Sequence, residues 1–125
     1  MSGSFRDLKA WQRAIELVAD IYTHTRAFPS DERYGLTSQL RRAAVSVPSN
    51  IAEGKGRSTD RDFCVFLHHA RGSLCEVETQ LTIAQGLGYL SESNAAKLIE
   101  DAGEIARILN GLIKAINGSA YNKPA

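Results

Sequence analysis

The chain has 125 residues, 43% hydrophobic and 23% charged, with 15 Lys and Arg against 14 Asp and Glu and a net charge of +1. That length fits one domain, residues 1–125, able to bury a core without staples. The near-neutral balance excludes a protein that grips a phosphate backbone by bulk charge, so any such contact must rest on a local patch or on several copies acting together.

The first periodic segment runs from about Asp7 to Ala27. Leu8, Trp11, Ile15, Val18 and Tyr22 recur there at steps of three and four, the spacing of a helix face turned to a bundle core. The segment stops before Phe28-Pro29-Ser30, because proline disfavours helix at the residue before it. The second segment, 36–57, places Leu36, Leu40, Ala44, Val47 and Ile51 on one buried stripe. Pro48 lies inside it, removing the bond to the Ala44 carbonyl at a cost of roughly 3 kcal/mol. The expectation is a helix kinked or locally irregular at Pro48 and held by polar neighbours, ending near Gly54-Lys55-Gly56.

The third segment opens on Ser58-Thr59-Asp60, good capping chemistry, and continues to about Gln85. Its stripe is Phe63, Leu67, Ala70, Leu74, Val77, Leu81 and Ala84, a heptad pattern. The fourth follows Ser91 and carries Ala95, Leu98, Ala102, Ile105, Leu109, Leu112 and Ile116 to a stop at Asn117-Gly118. Order is expected from about residue 5 to 117, with a flexible tail from Ser119 to Ala125. No window alternates like a half-buried strand. The reading is an all-α, antiparallel up-down-up-down four-helix bundle. Val45, Phe66, Ile83, Ile99 and Ile108 exceed what a narrow core needs and point to a wide core or a subunit interface.

Cys64 and Cys75 lie eleven residues apart on the third segment, roughly 16 Å along a helix. They cannot pair with each other, and reduced thiols in a cytoplasmic protein follow. There is no apolar signal core and no run near the ~20 apolar residues of a membrane span.

The run Gln39-Leu40-Arg41-Arg42-Ala43-Ala44-Val45-Ser46-Val47-Pro48-Ser49-Asn50-Ile51-Ala52-Glu53-Gly54 with Arg57 resembles the four helix bundle protein family, also called the 23S rRNA intervening-sequence protein family. Phe5-Arg6-Asp7-Leu8 with Trp11 looks like its opening motif. Phe66-Leu67, Ala70-Arg71-Gly72-Ser73 and Glu76-Val77-Glu78-Thr79 look like its third helix. The resemblance covers residues 5–117. It implies a bundle that assembles with itself as a ring, typically a homopentamer, and some members are encoded within ribosomal RNA genes. The family is also similar to the accessory protein of diversity-generating retroelements, a basic pentamer that binds nucleic acid and a reverse transcriptase. The net charge of +1 departs from that branch.

Two constellations stand out. Arg42, Ser46, Asn50 and Glu53 share one face of the second helix, and Gly72, Ser73, Glu76 and Thr79 form a small or polar strip on the third. We read the two strips as meeting at a structural polar seam, with Arg42 or Arg41 paired to Glu76 or Glu53 and Asn50 serving backbone groups freed near Pro48. Close approach of another backbone would account for Gly72. The rival readings are a solvated face with weak surface pairs and a binding site. The second constellation is basic: Arg41, Lys55, Arg57, Arg61 and Arg71, with Arg42 beside them, outweigh Glu53, Asp60 and Asp62. Lys55-Gly56-Arg57 on a helix–helix turn is a candidate phosphate contact for RNA or a ribonucleoprotein, and a ring would add its charges. Solubility and helix-end electrostatics explain the same residues without a ligand.

Chemistry is otherwise thin. Cys64, His68, Arg71 and Cys75 follow one stripe, but two ligands one turn apart do not make a zinc site. Trp11, Tyr22 and Phe63 read as core, Phe66 as core or interface, and Tyr34 and Tyr89 as caps on the bundle ends. No activated nucleophile, acid–base pair or phosphate loop is present. The expected protein is not an enzyme and needs no metal, cofactor or small-molecule substrate. It has no membrane partner, and its alternative role is a protein–protein adaptor.

Overall fold

The protein, seen in a computed structural model, is described over residues 3–121, with side chains as far as Gly118. Four helices carry it: α1 (Lys9–Thr25), α2 (Leu36–Lys55), α3 (Asp60–Gly86) and α4 (Glu92–Tyr121). Short 3-10 turns precede α1 at Phe5–Asp7 and α2 at Ser30–Glu32. The described residues contain no strand, and none of their helices is long and apolar enough to cross a membrane. Residue pairs show how the helices lie. Cys64 meets Asn117 and Arg71 meets Asn110, so the index falls along α4 as it rises along α3. Ser46 meets Ser73 while Gly54 packs beside Phe63 and Phe66, which sets the same relation between α2 and α3. α1 touches α2 and α4 but not α3, its diagonal neighbour.

The α2 and α3 stripes are buried as the periodicity predicts. α2 stays helical through Pro48, which is itself buried. Two side chains brace the turn beside it. Ser46 Oγ donates to the Ala43 carbonyl at 2.7 Å, and Asn50 Nδ2 donates to the Ser46 carbonyl at 2.8 Å. These acceptors flank Ala44; no described side chain donates to the Ala44 carbonyl itself, contrary to the role expected of Asn50.

α1 differs from expectation. Its core side is Ala10, Ala14, Leu17, Ile21 and Thr25, one position, about 100°, round from the expected stripe. The alanines let α1 approach its neighbours closely. Trp11 and Val18 are only partly buried, while Ile15 and Tyr22 remain 43% and 38% exposed. Trp11 packs edge-on against Phe5 at 5.3 Å rather than entering the core. The helix also starts later, because Ser4 and Asp7 close a capping box around a 3-10 turn and Leu8 is extended.

α4 follows its stripe to Leu109, then buries Ile113 instead of Leu112 and Ile116. It also runs through Asn117-Gly118 to Tyr121, so Ser119–Tyr121 of the expected flexible tail are helical; Asn122–Ala125 fall outside the described residues. No proline lies within α4 to stop it. Gly72 has no backbone against it: a Cβ there would meet nothing within 4 Å. The close approach occurs at Gly54 instead, where a Cβ would lie 2.6 Å from Phe66 Cβ. Tyr89 packs on Phe28 and donates to Glu32 at 3.0 Å, but Tyr34 is 86% exposed and caps nothing.

Candidate functional site

The seam residues come together in part. Ser46 and Ser73 are 2.5 Å apart between α2 and α3. Ser46 Oγ is the donor to Ser73 and also to the Ala43 carbonyl, so its one proton is shared between two acceptors. Around them lies a shallow concavity of about 410 Å³ lined by Gln39, Arg42, Ser46, Ser73, Glu76 and Gln80. Arg42 and Glu76 share this concavity without an ion pair, and Glu53 pairs instead with Arg57 at 3.0 Å. Arg41 turns away from the seam altogether. Gln39 and Gln80 escaped the sequence reading although they extend its two stripes, three residues before Arg42 and four after Glu76. The Gln80 Oε1 atom is buried without a partner among the described residues.

The basic residues separate into three places. Arg41 donates to Thr25 Oγ1 at 2.8 Å and to the Tyr22 carbonyl at 3.4 Å, and its guanidinium lies 4.5 Å from the Tyr22 ring centre. It ties α2 to the carbonyl end of α1, where a cation is favoured. Arg71 donates to Asn110 Oδ1 at 2.8 Å and meets His68 Nδ1 at 2.9 Å. A guanidinium only donates, so Arg71 is the donor in that pair. Arg71 therefore braces α3 to α4.

Lys55, Arg57 and Arg61 remain together at the α2–α3 turn. Lys55 sits half-buried, 6.0 Å from the Phe63 ring centre, and Arg57 lies 4.6 Å over Phe66. Arg61 is exposed on the first turn of α3. Thr59 caps that helix by accepting from the Asp62 N–H at 3.1 Å. A second concavity of about 410 Å³ opens here, with Lys55, Arg57, Thr59 and Asp60 on its rim and Phe63, Leu112 and Ile116 beneath. Its floor exists because α4 outruns α1, leaving two core-type residues half-covered. From Arg41 to Lys55 is fourteen residues along α2, and from Arg61 to Arg71 ten along α3, or about 21 and 15 Å.

This chain matches the family described as 23S rRNA-intervening sequence protein over residues 6–111. The chain belongs to that family. A solved structure from Bacteroides thetaiotaomicron, a protein of unknown function from the S23 ribosomal protein family, superposes with a TM-score of 0.77 at 21% identity, covering 84% of this chain and 98% of that one. It is similar to this chain in fold. No functionally curated protein matches significantly. Within this family member no described group of three His, Cys, Asp or Glu residues is arranged to hold a metal.

The two thiols differ. Cys64 is buried with its Sγ 3.5 Å from Asn117 Oδ1, whereas Cys75 is exposed. Burial first, then the Asp60 charge, pushes the Cys64 thiol above its ordinary range. Less thiolate means slower chemistry. In a Cys75→Ser protein, Cys64 is expected to react with a disulfide reagent at pH 8 at least tenfold more slowly than a free thiol, and at the free rate in urea. Equal rates in the two conditions would show that Cys64 is open to solvent.

Proposed function

We propose that this protein is a non-catalytic cytoplasmic scaffold that assembles as a ring, of five chains by family resemblance, and presents its α2–α3 turns to RNA or a ribonucleoprotein. The observation that supports it is the Lys55, Arg57 and Arg61 group beside the rim of a concavity at one end of the bundle. Arg41 and Arg71 are withdrawn from the set, since both are committed to holding helices together. One chain offers few phosphate contacts, and a ring multiplies them.

Solution mass by light scattering tests the assembly, and anisotropy titration of a single-stranded RNA at 50 and 200 mM salt tests the ligand. Each phosphate neutralised on single-stranded nucleic acid contributes a slope of about −0.7 in log K against log salt. The double substitution Arg57→Ala with Arg61→Ala is expected to weaken RNA binding at 50 mM salt more than tenfold and flatten that slope. Absent or salt-insensitive binding by the unaltered protein would leave the adaptor reading. The exposed apolar residues Ile15, Tyr22 and Val45 favour that second reading, a surface for another polypeptide.

A further inference from the structure

Two faces of the bundle are unlike each other and only partly covered within the chain. On α1, Trp11, Ile15, Val18 and Tyr22 line a side distinct from the core side and continue to Arg26. Val45 of α2 lies in the same surface, with Tyr22 and Arg42 around one shallow hollow. This face is bulky and apolar. The outward side of α3 is the reverse. Gly72, Cys75, Thr79, Ile83 and Gly86 follow one line opposite its buried stripe, and all five are exposed. Thr79 turns its hydroxyl to the Cys75 carbonyl at 2.8 Å, and Thr82 turns its own to Glu78 at 2.8 Å. Both therefore bond back to their own helix, leaving this side low and weakly polar except at Ile83, which is 46% exposed.

Gly72 sits mid-helix with nothing within 4 Å of a built Cβ, so no contact in the chain accounts for it. The two lines match in length, about 22 Å from Trp11 to Arg26 and about 21 Å from Gly72 to Gly86. Their borders are opposite in charge. Arg26 and Arg42 edge the bulky face, Glu76 edges the small one, and none of the three forms an ion pair among the described residues. α1 and α3 are diagonal in the bundle, so one chain cannot bring its two faces together. A second chain can, with one copy's α1 face meeting the other's α3 face head to tail.

We propose that the bulky α1–α2 face of one copy seats on the small-residue face of α3 of a second copy, with Arg26 and Arg42 opposite Glu76. This rests on the self-assembly reading above and assigns its two surfaces. Bulky side chains of one helix then fill the space that Gly72 leaves open on the other.

The test uses Ile15→Glu and Cys75→Arg, both at exposed positions where no core contact is lost. Each variant alone is expected to give the single-chain mass of 13.6 kDa by light scattering while keeping its helical circular dichroism. An equimolar mixture is expected to give twice that mass and no more, because it restores one good pair of faces and leaves two spoiled ones. In the unaltered assembly Cys75 is expected to react with a thiol reagent at least tenfold more slowly than in Ile15→Glu. An unaltered protein that is a single chain would overturn the assembly reading itself. An unaltered protein that assembles, with either variant assembling equally well, would overturn the choice of faces alone. Variants that dissociate yet do not pair on mixing would overturn the head-to-tail match. Should Ile15→Glu lose its helical signal, Tyr22→Glu replaces it in the same mixture.

Discussion

Gly54→Ala is expected to lower the stability of the bundle by about 1–2 kcal/mol, whereas Gly111→Ala is expected to raise it by about 1 kcal/mol. Both glycines lie inside helices, where alanine is the better former by about 1 kcal/mol. They differ in what stands in front of them. At Gly111 a Cβ meets nothing within 4 Å, so the propensity gain is all that remains. At Gly54 the same atom would lie 2.6 Å from Phe66 Cβ, 3.1 Å from Phe63 Cδ1 and 3.3 Å from the Phe63 carbonyl oxygen. A Cβ and a carbonyl do not move with a rotamer, so α2 and α3 must separate at this end. Such overpacking costs typically 1–3 kcal/mol. Urea denaturation of the three proteins measures both effects, and a Gly54→Ala protein as stable as the unaltered one would show that the two helices do not pack so closely. Because Phe66 also carries Arg57, the same variant is expected to disturb the α2–α3 turn before it disturbs the far end of the bundle.

Whether a helix was legible depended on how many of its sides are covered. α2 and α3 each have one apolar side, and their stripes from Leu36 to Ile51 and from Phe63 to Ala84 are buried residue for residue. α1 has two. Periodicity favours the larger side chains, Trp11, Ile15 and Tyr22, and passes over Ala10 and Ala14, which face the core because close approach needs small residues. The end of α4 was misread for a simpler reason: a repeat continues in sequence after the neighbouring helix has ended, so Leu112 and Ile116 keep the spacing of a core without having one. The candidate site divides in the same way. The Ser46–Ser73 bond follows from two stripes on helices joined by a short turn. The basic residues lie within about thirty positions of one another, yet helical geometry sends Arg41 to α1 and Arg71 to α4. Nothing in the spacing of Glu32 and Tyr89, 57 residues apart, announces that they touch.

That contact carries the second large effect. Glu32→Ala is expected to cost about 2 kcal/mol, because one carboxylate serves two elements. Oε1 accepts the Leu36 N–H at 3.1 Å and Oε2 accepts the Tyr89 hydroxyl at 3.0 Å. The N-cap of α2 is Gly35, which has no side chain to cap it, so Glu32 reaches forward to do so. A lost helix cap costs roughly 1 kcal/mol, and a hydrogen bond to a charged group is worth about 1.5–3 kcal/mol when well shielded. This one is only partly buried, which brings it down to the ordinary net worth of a hydrogen bond, about 1 kcal/mol. Gly35→Ala gives an independent check, since its Cβ would fall 2.6 Å from Glu32 Oε1 and push the carboxylate off the N–H without removing it. The Tyr89 phenol supplies a signature in pH. Its bond to Glu32 first, then burial, then the charges of Glu32 and Asp31 hold its pKa above the ordinary value. A raised pKa means that the folded protein keeps this proton longer than the unfolded chain. The contribution is therefore fully present below about pH 10 and is lost as pH rises through the folded value. The stability difference between the unaltered protein and Tyr89→Phe is expected to be constant from pH 7 to 9 and to shrink above pH 10. A difference that stays level to pH 11 would mean that the hydroxyl does not donate to Glu32, and Glu32→Ala would then lose only what the Leu36 cap is worth.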